Sequence, residues 1–321
     1  MKAVTHTFQD VELPKPAPAG HDLLVKVEAI SVNPVDTKQR KVESPAPRVL
    51  GWDAAGTVEA IGPQVTLFRP GDAVYYAGDV TRPGANSEFH LVDERIVGAK
   101  PKRLDFAQAA AIPLTAITAW EAFFDRMKID LGGKDAGKTL LIIGGAGGVG
   151  SIGIQLARIA GLRVIATASR PESIAWVKEL GADEVVDHRK DLPSQVGRPV
   201  EYIANFNDLD PHWAAMAQMI APQGAMVAIV GNTKPIPMDV VRSKSVTLCW
   251  ELMFTRARFK TADMIEQHRL LNQVAGWLDS GRLRGTLKET LSPINAANLR
   301  KAHEKLESGT MIGKLVLKGW G

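Results

Sequence analysis

The chain has 321 residues, of which 45% are hydrophobic and 23% charged, and its formal net charge is +4 at pH 7. This length suits two domains, and the composition is that of a folded globular protein rather than a disordered or fibrous one. The basic residues are scattered, whereas a nucleic-acid-binding protein needs a concentrated basic surface or a recognisable module. Nucleic acid is therefore not expected as a partner.

The sequence also indicates whether the protein crosses a membrane and whether it forms disulfides. No apolar run approaches the length of a bilayer span, and the first residues show no signal-peptide pattern. The single cysteine, Cys249, excludes an internal disulfide and a zinc site built from cysteines. We therefore expect a cytoplasmic protein without a membrane partner.

The N-terminal third of the chain predicts a compact, irregular β domain. Short strand-like runs occur at Leu23–Val32, Gly56–Gly62 and Asp72–Gly78. Proline, glycine and other turn residues separate these runs, as is typical of short antiparallel strands.

After Pro113 the pattern changes to apolar strand runs that alternate with helical runs, from TLLIIGG through RVIATA and EYIANF to AMVAIVG. This alternation predicts a parallel sheet with helices on both faces. Two amphipathic helices, at about Ala262–Ser280 and Asn295–Ser308, and the strand-like run GKLVLKG follow. These last pieces are too small to fold alone, and we expect them to complete the first domain.

The strongest local pattern lies in Thr139–Arg158, TLLIIGGAGGVGSIGIQLAR. Gly145, Gly147 and Gly150 form G-x-G-x-x-G between an apolar strand and a helix. In this pattern one glycine permits the tight turn, one lets a pyrophosphate approach the backbone, and one lets helix and strand pack closely. The helix N-terminus also offers free N–H groups to phosphate. The segment predicts dinucleotide binding rather than a merely structural glycine loop.

The end of the second strand of this unit indicates which dinucleotide binds. An NAD site places Asp or Glu about twenty residues into the unit, where the carboxylate binds the ribose hydroxyls. The stretch Val164–Arg170, VIATASR, has Ser169 and Arg170 at this point and no acid. A hydroxyl and a guanidinium suit a 2′-phosphate, so NADPH is predicted. The alternative is that Arg170 is a solvent-facing loop residue.

Seven segments, in family order over nearly the full length, carry a resemblance to a known superfamily: VNPVDTKQR, GWDAAGTVEAIG, RPGDAV, AAAIPLTAITAWEA, GGAGGVG, ELGAD and GKLVL. With them the chain resembles the medium-chain dehydrogenase/reductase superfamily, on its zinc-free quinone oxidoreductase-like side. The run ELMFTRARF at Glu251–Phe259 resembles the branch called zinc-type alcohol dehydrogenase-like.

The resemblance implies an α/β protein of two domains. A GroES-like, β-rich catalytic domain would comprise residues 1–122 and 259–321, and a Rossmann domain, a doubly wound parallel sheet, residues 123–258. It implies a substrate cleft between them. It also implies a homodimer through the strand Val246–Glu251, because pairing with a copy satisfies the open edge of a sheet.

The resemblance also bears on metal binding. It puts Asn33, Trp52, Asp53 and Leu114 at the positions where the zinc enzymes of the superfamily hold their catalytic metal. Only Asp53 among them can bind a metal, whereas a tetrahedral zinc site needs three or four N, S or O ligands. The cysteine-rich lobe for a structural zinc is absent, and the histidines show no ligand spacing. No metal is expected.

The resemblance further implies that Asn33, Asp36 and Lys38 border the nicotinamide and the substrate and carry catalysis. Many relatives have a tyrosine where Lys38 stands. Lys38 either replaces that tyrosine as an electrostatic stabiliser or proton source, or it points to solvent and pairs with Asp36. Both alternatives remain open.

Further residues are expected at the substrate and the cofactor. Trp52 and Asp53 are expected at the substrate, where Trp52 forms an apolar wall for a flat acceptor or packs between domains. Trp250 and Phe254 are expected substrate contacts, with core or dimer-interface packing as the alternative. The predicted cofactor-binding residues are Thr118, Gly145, Gly147, Gly148, Val149, Gly150, Ser169, Arg170, His188 and Gly231.

Without a Lewis acid such a site is poorly suited to oxidising simple alcohols. It suits electron-poor acceptors, in which negative charge builds on a carbonyl oxygen that hydrogen-bond donors stabilise. The sequence therefore predicts an NADPH-dependent oxidoreductase that transfers hydride to quinones or α,β-unsaturated carbonyl compounds. The alternatives are alcohol dehydrogenase activity and a non-catalytic NADPH-binding protein.

Overall fold

A computed structural model describes residues 1–321 and divides them into two units. The terminal unit comprises Met1–Ile117 and Met253–Gly321, and the central unit comprises Thr118–Leu252. Both chain ends thus belong to one unit. The boundaries lie a few residues before the expected ones at 122/123 and 258/259, and the first falls inside the helix Pro113–Trp120.

The regular elements are numbered in chain order. The strands are β1 (Lys2–Val4), β2 (Asp10–Glu12), β3 (Asp22–Ser31), β4 (Asp53–Ile61), β5 (Ala73–Ala77), β6 (Phe89–Asp93), β7 (Val97–Ala99), β8 (Thr139–Ile143), β9 (Arg163–Thr167), β10 (Glu184–Val186), β11 (Val200–Asn205), β12 (Ile220–Ala228), β13 (Thr247–Trp250), β14 (Leu287–Leu291) and β15 (Lys314–Lys318). The α-helices are α1 (Pro34–Arg40), α2 (Phe106–Ala110), α3 (Pro113–Trp120), α4 (Gly148–Ile159), α5 (Pro171–Glu179), α6 (Leu192–Val196), α7 (Trp213–Met219), α8 (Thr255–Phe259), α9 (Glu266–Asp279) and α10 (Ala296–Glu307). Short 3-10 helices lie at Glu94–Ile96 and Met238–Lys244, and a π-helical turn at Glu121–Arg126.

In the terminal unit seven strands form one sheet, and β1 and β2 form a separate pair. The order in the large sheet is β14-β15-β3-β4-β5-β7, with β6 also pairing with β3. All pairings are antiparallel except that of β14 with β15. Residues from both chain ends share one hydrophobic core, which includes Val27, Val92, Leu299 and Leu315. The C-terminal pieces therefore complete the sheet and core that the N-terminal strands begin.

The central unit has six parallel strands in the order β10-β9-β8-β11-β12-β13. The first three strands of the unit run outward from β8 to one side, and the next three follow on the other side. β8 is buried along its whole length, as expected for an inner strand covered on both faces. In such sheets ligands bind beyond the carboxyl ends of the strands at the point where the order reverses, which here is between β8 and β11.

The structure confirms the predicted fold class, a GroES-like β-rich part and a doubly wound parallel sheet. The predicted helices near the C-terminus correspond to α9 and α10, each a few residues shorter than expected. None of the helices combines the length and the apolar character that crossing a membrane requires.

Candidate functional site

The glycine turn lies at the carboxyl end of β8, beside the point where the strand order reverses. Gly144 follows the strand with φ +87, a backbone conformation that favours glycine. Gly147 precedes the first residue of α4, with extended backbone angles. The first turn of α4, Gly148 to Gly150, therefore presents backbone N–H groups without intrahelical acceptors and the positive end of the helix dipole. This is an anion-binding arrangement.

The three glycines of the G-x-G-x-x-G pattern have different surroundings. A Cβ on Gly150 would lie 2.3 Å from the backbone oxygen of Gly144 and 2.6 Å from that of Gly145. A Cβ on Gly145 would lie 2.9 Å from the Cβ of Ala166 on β9. A Cβ on Gly147 would meet nothing nearer than the Gly144 oxygen at 3.6 Å. Gly145 and Gly150 are therefore required by the fold of the turn itself, whereas the space next to Gly147 is open.

At the carboxyl end of β9 lie Ser169 and Arg170, both half-buried, with Arg170 at the N-cap of α5. A second guanidinium comes from the loop after β10, where Arg189 donates from Nη2 to the Ser169 carbonyl oxygen at 2.8 Å. Arg189 also holds the Asp187 carboxylate, from Nη2 at 2.9 Å and from Nε at 3.0 Å. Burial lowers the pKa of the intervening His188 despite Asp187, and the charges of both arginines act in the same direction as burial. Arg189 was not among the residues predicted from the sequence, although the basic run HRK after β10 was a visible signal.

The other two predicted cofactor residues of the central unit lie apart from this group in the chain. Thr118 is buried in α3, and Gly231 is exposed in the loop after β12. The central unit thus places the glycine turn after β8, Ser169 and Arg170 after β9, and His188 after β10, three neighbouring strands of one sheet. The roles of Thr118 and Gly231 stay predictions.

In the terminal unit the predicted site residues form a buried polar network at the start of α1. Asn33 precedes the helix, and its backbone N–H donates to Asp36 Oδ2 at 2.7 Å. Its side-chain Nδ2 donates to Asp53 Oδ2 at 3.1 Å and to the Ser31 carbonyl oxygen at 3.3 Å. Asp53 Oδ1 in turn accepts from the backbone N–H of Leu114 at 3.2 Å. The structure therefore joins Asn33, Asp36 and Asp53, which are distant in sequence.

A residue that the sequence analysis missed completes this network. Lys314, the first residue of β15, donates from Nζ to Asn33 Oδ1 at 2.5 Å and to the Val32 carbonyl oxygen at 2.9 Å. The same Nζ lies 3.3 Å from Asp53 Oδ2, and both side chains are almost wholly buried. No local pattern could have connected Lys314 with Asn33, because 281 positions separate them.

Burial dominates the titration of this network. It raises the pKa of Asp36 to about 7 and that of Asp53 to about 6, while the Lys314 charge lowers both. Asp36 Oδ1 has no hydrogen-bond partner although it is buried. A neutral Asp36 can therefore hold its proton on Oδ1 while Oδ2 accepts from Asn33.

We expect Asp36→Asn to flatten the pH dependence of stability. The pKa of Asp36 rises from 3.8 in the unfolded chain to about 7 in the folded one. The protonated group therefore stabilises the fold fully below pH 3.8, and this contribution is lost as the pH rises to about 7. Asparagine stays neutral throughout. Relative to the wild type, the free energy of unfolding of the variant should increase by about 1 kcal/mol for each pH unit between the two pKa values, whatever its absolute stability. Thermal unfolding between pH 4 and 8 measures this slope, and parallel curves for the two proteins would show that Asp36 ionises normally.

The predicted substrate residues are only partly brought together. Trp52 and Phe254 are both buried and lie edge to face, with ring centroids 6.1 Å apart. Lys38 is on the exposed side of α1, outside the buried network, and its catalytic role stays a prediction. Trp250 belongs to the central unit, ends β13 and is 46% exposed.

A zinc ion does not fit the four positions at which zinc relatives hold their metal. Asp53 is the only ligand type among them that binds zinc well, and it already faces the Lys314 ammonium. Asn33 accepts from the same ammonium, Leu114 offers a backbone N–H, and Trp52 offers an indole N–H. The structure contains no group of three or more His, Cys, Asp or Glu side chains that could hold a metal ion.

The central unit contains a second buried charge cluster that the sequence analysis did not identify. Arg126 donates from Nε to Glu251 Oε2 at 2.8 Å, and its Nη2 lies 3.7 Å from Glu121 Oε2. Both glutamate side chains are fully buried. Burial and the charge of Glu121 raise the pKa of Glu251 to about 9, so Glu251 holds a proton at neutral pH beside Glu121 and Arg126. A π-helical turn brings Glu121 and Arg126 to one side, and the periodicity of an ordinary α-helix does not predict it.

Two family models match the chain. The alcohol dehydrogenase GroES-like domain matches residues 19–102, and the zinc-binding dehydrogenase model matches residues 180–317. A zinc-type alcohol dehydrogenase-like protein of Staphylococcus aureus (strain COL) is 46% identical over 314 residues, which cover 97% of this chain and 94% of that protein. A 2-methylene-furan-3-one reductase of Solanum lycopersicum is 32% identical over 309 residues, which cover 92% of this chain and 71% of that protein.

Solved structures agree with these matches. A protein of Rhizobium etli CFN 42, provisionally classed as a zinc-dependent alcohol dehydrogenase, superposes with a TM-score of 0.95 at 54% identity, covering 100% of this chain and 98% of that one. A mycobacterial protein solved in complex with NADPH has a TM-score of 0.85 at 27% identity, with 99% and 100% of the two chains covered. The chain therefore belongs to the zinc-type alcohol dehydrogenase-like family and is an oxidoreductase of the medium-chain dehydrogenase/reductase superfamily.

Proposed function

We propose that this oxidoreductase uses NADPH to reduce quinones or α,β-unsaturated carbonyl compounds and that it does so without a metal. The observation that carries the proposal is the Asn33–Asp53–Lys314 network, which fills with hydrogen bonds and a lysine the positions that bind zinc in relatives. A site without a Lewis acid favours acceptors that are already electron-poor. The similarity to a plant 2-methylene-furan-3-one reductase supports the same substrate class.

Residues of the central unit support NADPH as the cofactor. The glycine turn and the N-terminus of α4 suit a pyrophosphate, and Ser169 and Arg170 at the end of β9 suit a 2′-phosphate. The Arg189 guanidinium, held against the Ser169 carbonyl and paired with Asp187, adds a second guanidinium at this end of the strand. An NAD-selective site would instead carry a carboxylate there to bind the ribose hydroxyls. The NADPH complex of the mycobacterial structure is consistent with this choice.

When bound, the reduced nicotinamide supplies a hydride from C4, and the acceptor carbon that receives it leaves negative charge on the carbonyl oxygen. The chain's own residues then supply a proton, orient the group that carries it and stabilise the charge. Below about pH 7 Asp36 holds a proton on Oδ1, and this proton can neutralise the charge. Asn33 orients Asp36 through its backbone N–H. Lys38, exposed on α1, is the proposed electrostatic stabiliser of this oxygen.

A substrate panel tests the proposed activity. The purified protein is mixed with NADPH and a series of quinones and enals, and with NADP⁺ and simple primary and secondary alcohols, while nicotinamide absorbance is followed. We expect NADPH consumption with the first series and no reduction of NADP⁺ with the second. Tight NADPH binding without consumption across the panel would instead support a non-catalytic NADPH-binding protein, and turnover of alcohols alone would support an alcohol dehydrogenase.

We propose a second copy of the chain as the protein partner, through the strand Val246–Glu251. Within the central sheet β13 is an edge strand, so its outer backbone groups have no neighbour in that sheet. Trp250 at its end is 46% exposed and Leu252 is 47% exposed, which is unusual for large apolar side chains beside an open edge. Light scattering after size exclusion should give twice the chain mass of 34.7 kDa, and Trp250→Lys should shift the protein toward one chain. A wild-type mass of one chain at micromolar concentration would refute the dimer.

A further inference from the structure

The buried Lys314 side chain is fixed from its backbone outward. Gly313 before it has φ +60, and a Cβ there would lie 2.5 Å from the Thr286 carbonyl oxygen. The backbone N–H of Lys314 donates to that same oxygen at 2.9 Å. From this anchored strand start the side chain, 4% exposed, runs into the network at the start of α1. The fold therefore fixes the position of this side chain.

The ammonium has three N–H donors, and three acceptors surround it: Val32 O at 2.9 Å, Asn33 Oδ1 at 2.5 Å and Asp53 Oδ2 at 3.3 Å. The Asn33 amide can present only its oxygen here, because its Nδ2 faces the oxygens of Ser31 and Asp53. Burial lowers the pKa of Lys314, while Asp53 and Asp36 raise it. A neutral amine would leave one of the three acceptors unmatched, so the hydrogen bonds favour the charged form.

We infer that Lys314 is a positioning residue of the acceptor site: its ammonium is a built-in cation that holds Asn33 and Asp53 at positions where zinc-bearing relatives place metal ligands. The inference rests on the proposed function for its catalytic consequence. It goes beyond that function in naming the group that supplies positive charge and in predicting how this charge is coupled to the two aspartates.

The charge balance of the network determines how its groups titrate. Two buried carboxyl groups, Asp36 and Asp53, share one ammonium. One carboxylate is therefore compensated, and the other, Asp36, holds its proton on Oδ1 up to about pH 7. Removing Lys314 leaves both carboxyl groups uncompensated, so the pKa of each rises further.

A double-mutant cycle tests the charge pairing without any acceptor. Lys314→Met leaves a buried carboxylate unpaired, and Asp53→Asn leaves a buried ammonium facing a neutral amide, so each should lower Tm by about 10 °C. The double variant should be more stable than Lys314→Met alone, because Asp36 is then the one carboxyl group of the network without a cation and it can stay protonated. Lys318→Met, on the exposed end of the same strand, is the matched control and should change Tm by less than about 2 °C. Strictly additive losses would overturn the inference, as would a double variant that fails to fold while Asp53→Asn folds.

Kinetics test the catalytic consequence. Lys314→Met should lower kcat by about 10-fold or more while leaving the dissociation constant of NADPH unchanged, and its loss of kcat at alkaline pH should move upward by about one pH unit. Lys314→Arg retains the positive charge and should return the pH profile toward that of the wild type. A loss of Tm with an unshifted pH profile would reduce Lys314 to a structural role and overturn the inference. If the wild type reduces no acceptor, the proposed function fails, whereas the double-mutant cycle still decides the charge pairing.

Discussion

Gly150→Ala should destabilise the protein and lower its affinity for NADPH by more than about 100-fold, the equivalent of losing about two charge-assisted phosphate contacts. The added Cβ would lie 2.3 Å from the Gly144 oxygen and 2.6 Å from the Gly145 oxygen. Both are backbone atoms of the turn, so relief requires a shift of the turn or of α4 itself. Overpacking of this kind costs about 1–3 kcal/mol, and the shifted helix no longer points its N–H groups at the phosphates.

Gly147→Ala is the matched control in the same turn. Its Cβ would meet nothing nearer than 3.6 Å, and its backbone angles suit any residue, so the apo protein should unfold within about 0.5 kcal/mol of the wild type. The methyl group does, however, occupy the open space beside the start of α4. We expect a drop in NADPH affinity of about 10-fold or more at unchanged stability.

Calorimetric titration with NADPH and thermal unfolding of the apo proteins separate these two effects. The glycine turn would lose its assigned role if Gly147→Ala bound NADPH like the wild type. The claim that the fold of the turn requires glycine at position 150 would be wrong if Gly150→Ala unfolded at the wild-type temperature.

Arg170→Ala should raise the KM for NADPH by about 10-fold or more and leave the KM for NADH nearly unchanged. One charge-assisted contact with the 2′-phosphate contributes about 1.5–3 kcal/mol, and NADH lacks that group. Arg189→Ala should act in the same direction, because its guanidinium lies against the Ser169 carbonyl oxygen at the same end of β9. The double variant should lose most of the preference for NADPH over NADH.

Arg163→Ala is the control for a general loss of positive charge. Arg163 is exposed at the opposite end of β9, where it pairs with Glu184 at 2.9 Å. It should leave both KM values as they are. Steady-state kinetics with both cofactors decide the matter: an increase in the NADPH KM of less than about threefold for Arg170→Ala is too small for a lost phosphate contact and would refute the assignment.

The sequence predicted what depends on local pattern. The glycine turn was readable because strand, glycines and helix are contiguous, and its position at the carboxyl end of β8 follows from that order. The return of the C-terminal pieces to the N-terminal sheet was readable because those pieces are too short to bury a core alone. The family resemblance implies that Asn33, Trp52 and Leu114 stand at the zinc positions, and their identities show that these side chains are not zinc ligand types.

What the sequence could not show depends on long-range packing. Lys314 reads as an ordinary residue of the GKLVL run, and only the pairing of β15 with β3 brings it to the end of β3 and the start of α1. The raised pKa of Asp36 and of Glu251 likewise comes from burial, which is a property of the folded core and not of a motif. Lys38 is exposed on α1, and its role at the acceptor oxygen stays a prediction.

The central claim is hydride transfer from NADPH by a protein that needs no metal. Its most direct test is the rate of NADPH consumption with a quinone or enal acceptor, measured on protein stripped with a strong zinc chelator and again after addition of one equivalent of Zn²⁺. We expect the stripped protein to retain the full rate and zinc to add nothing. A stripped protein that is inactive until zinc is returned would contradict the account.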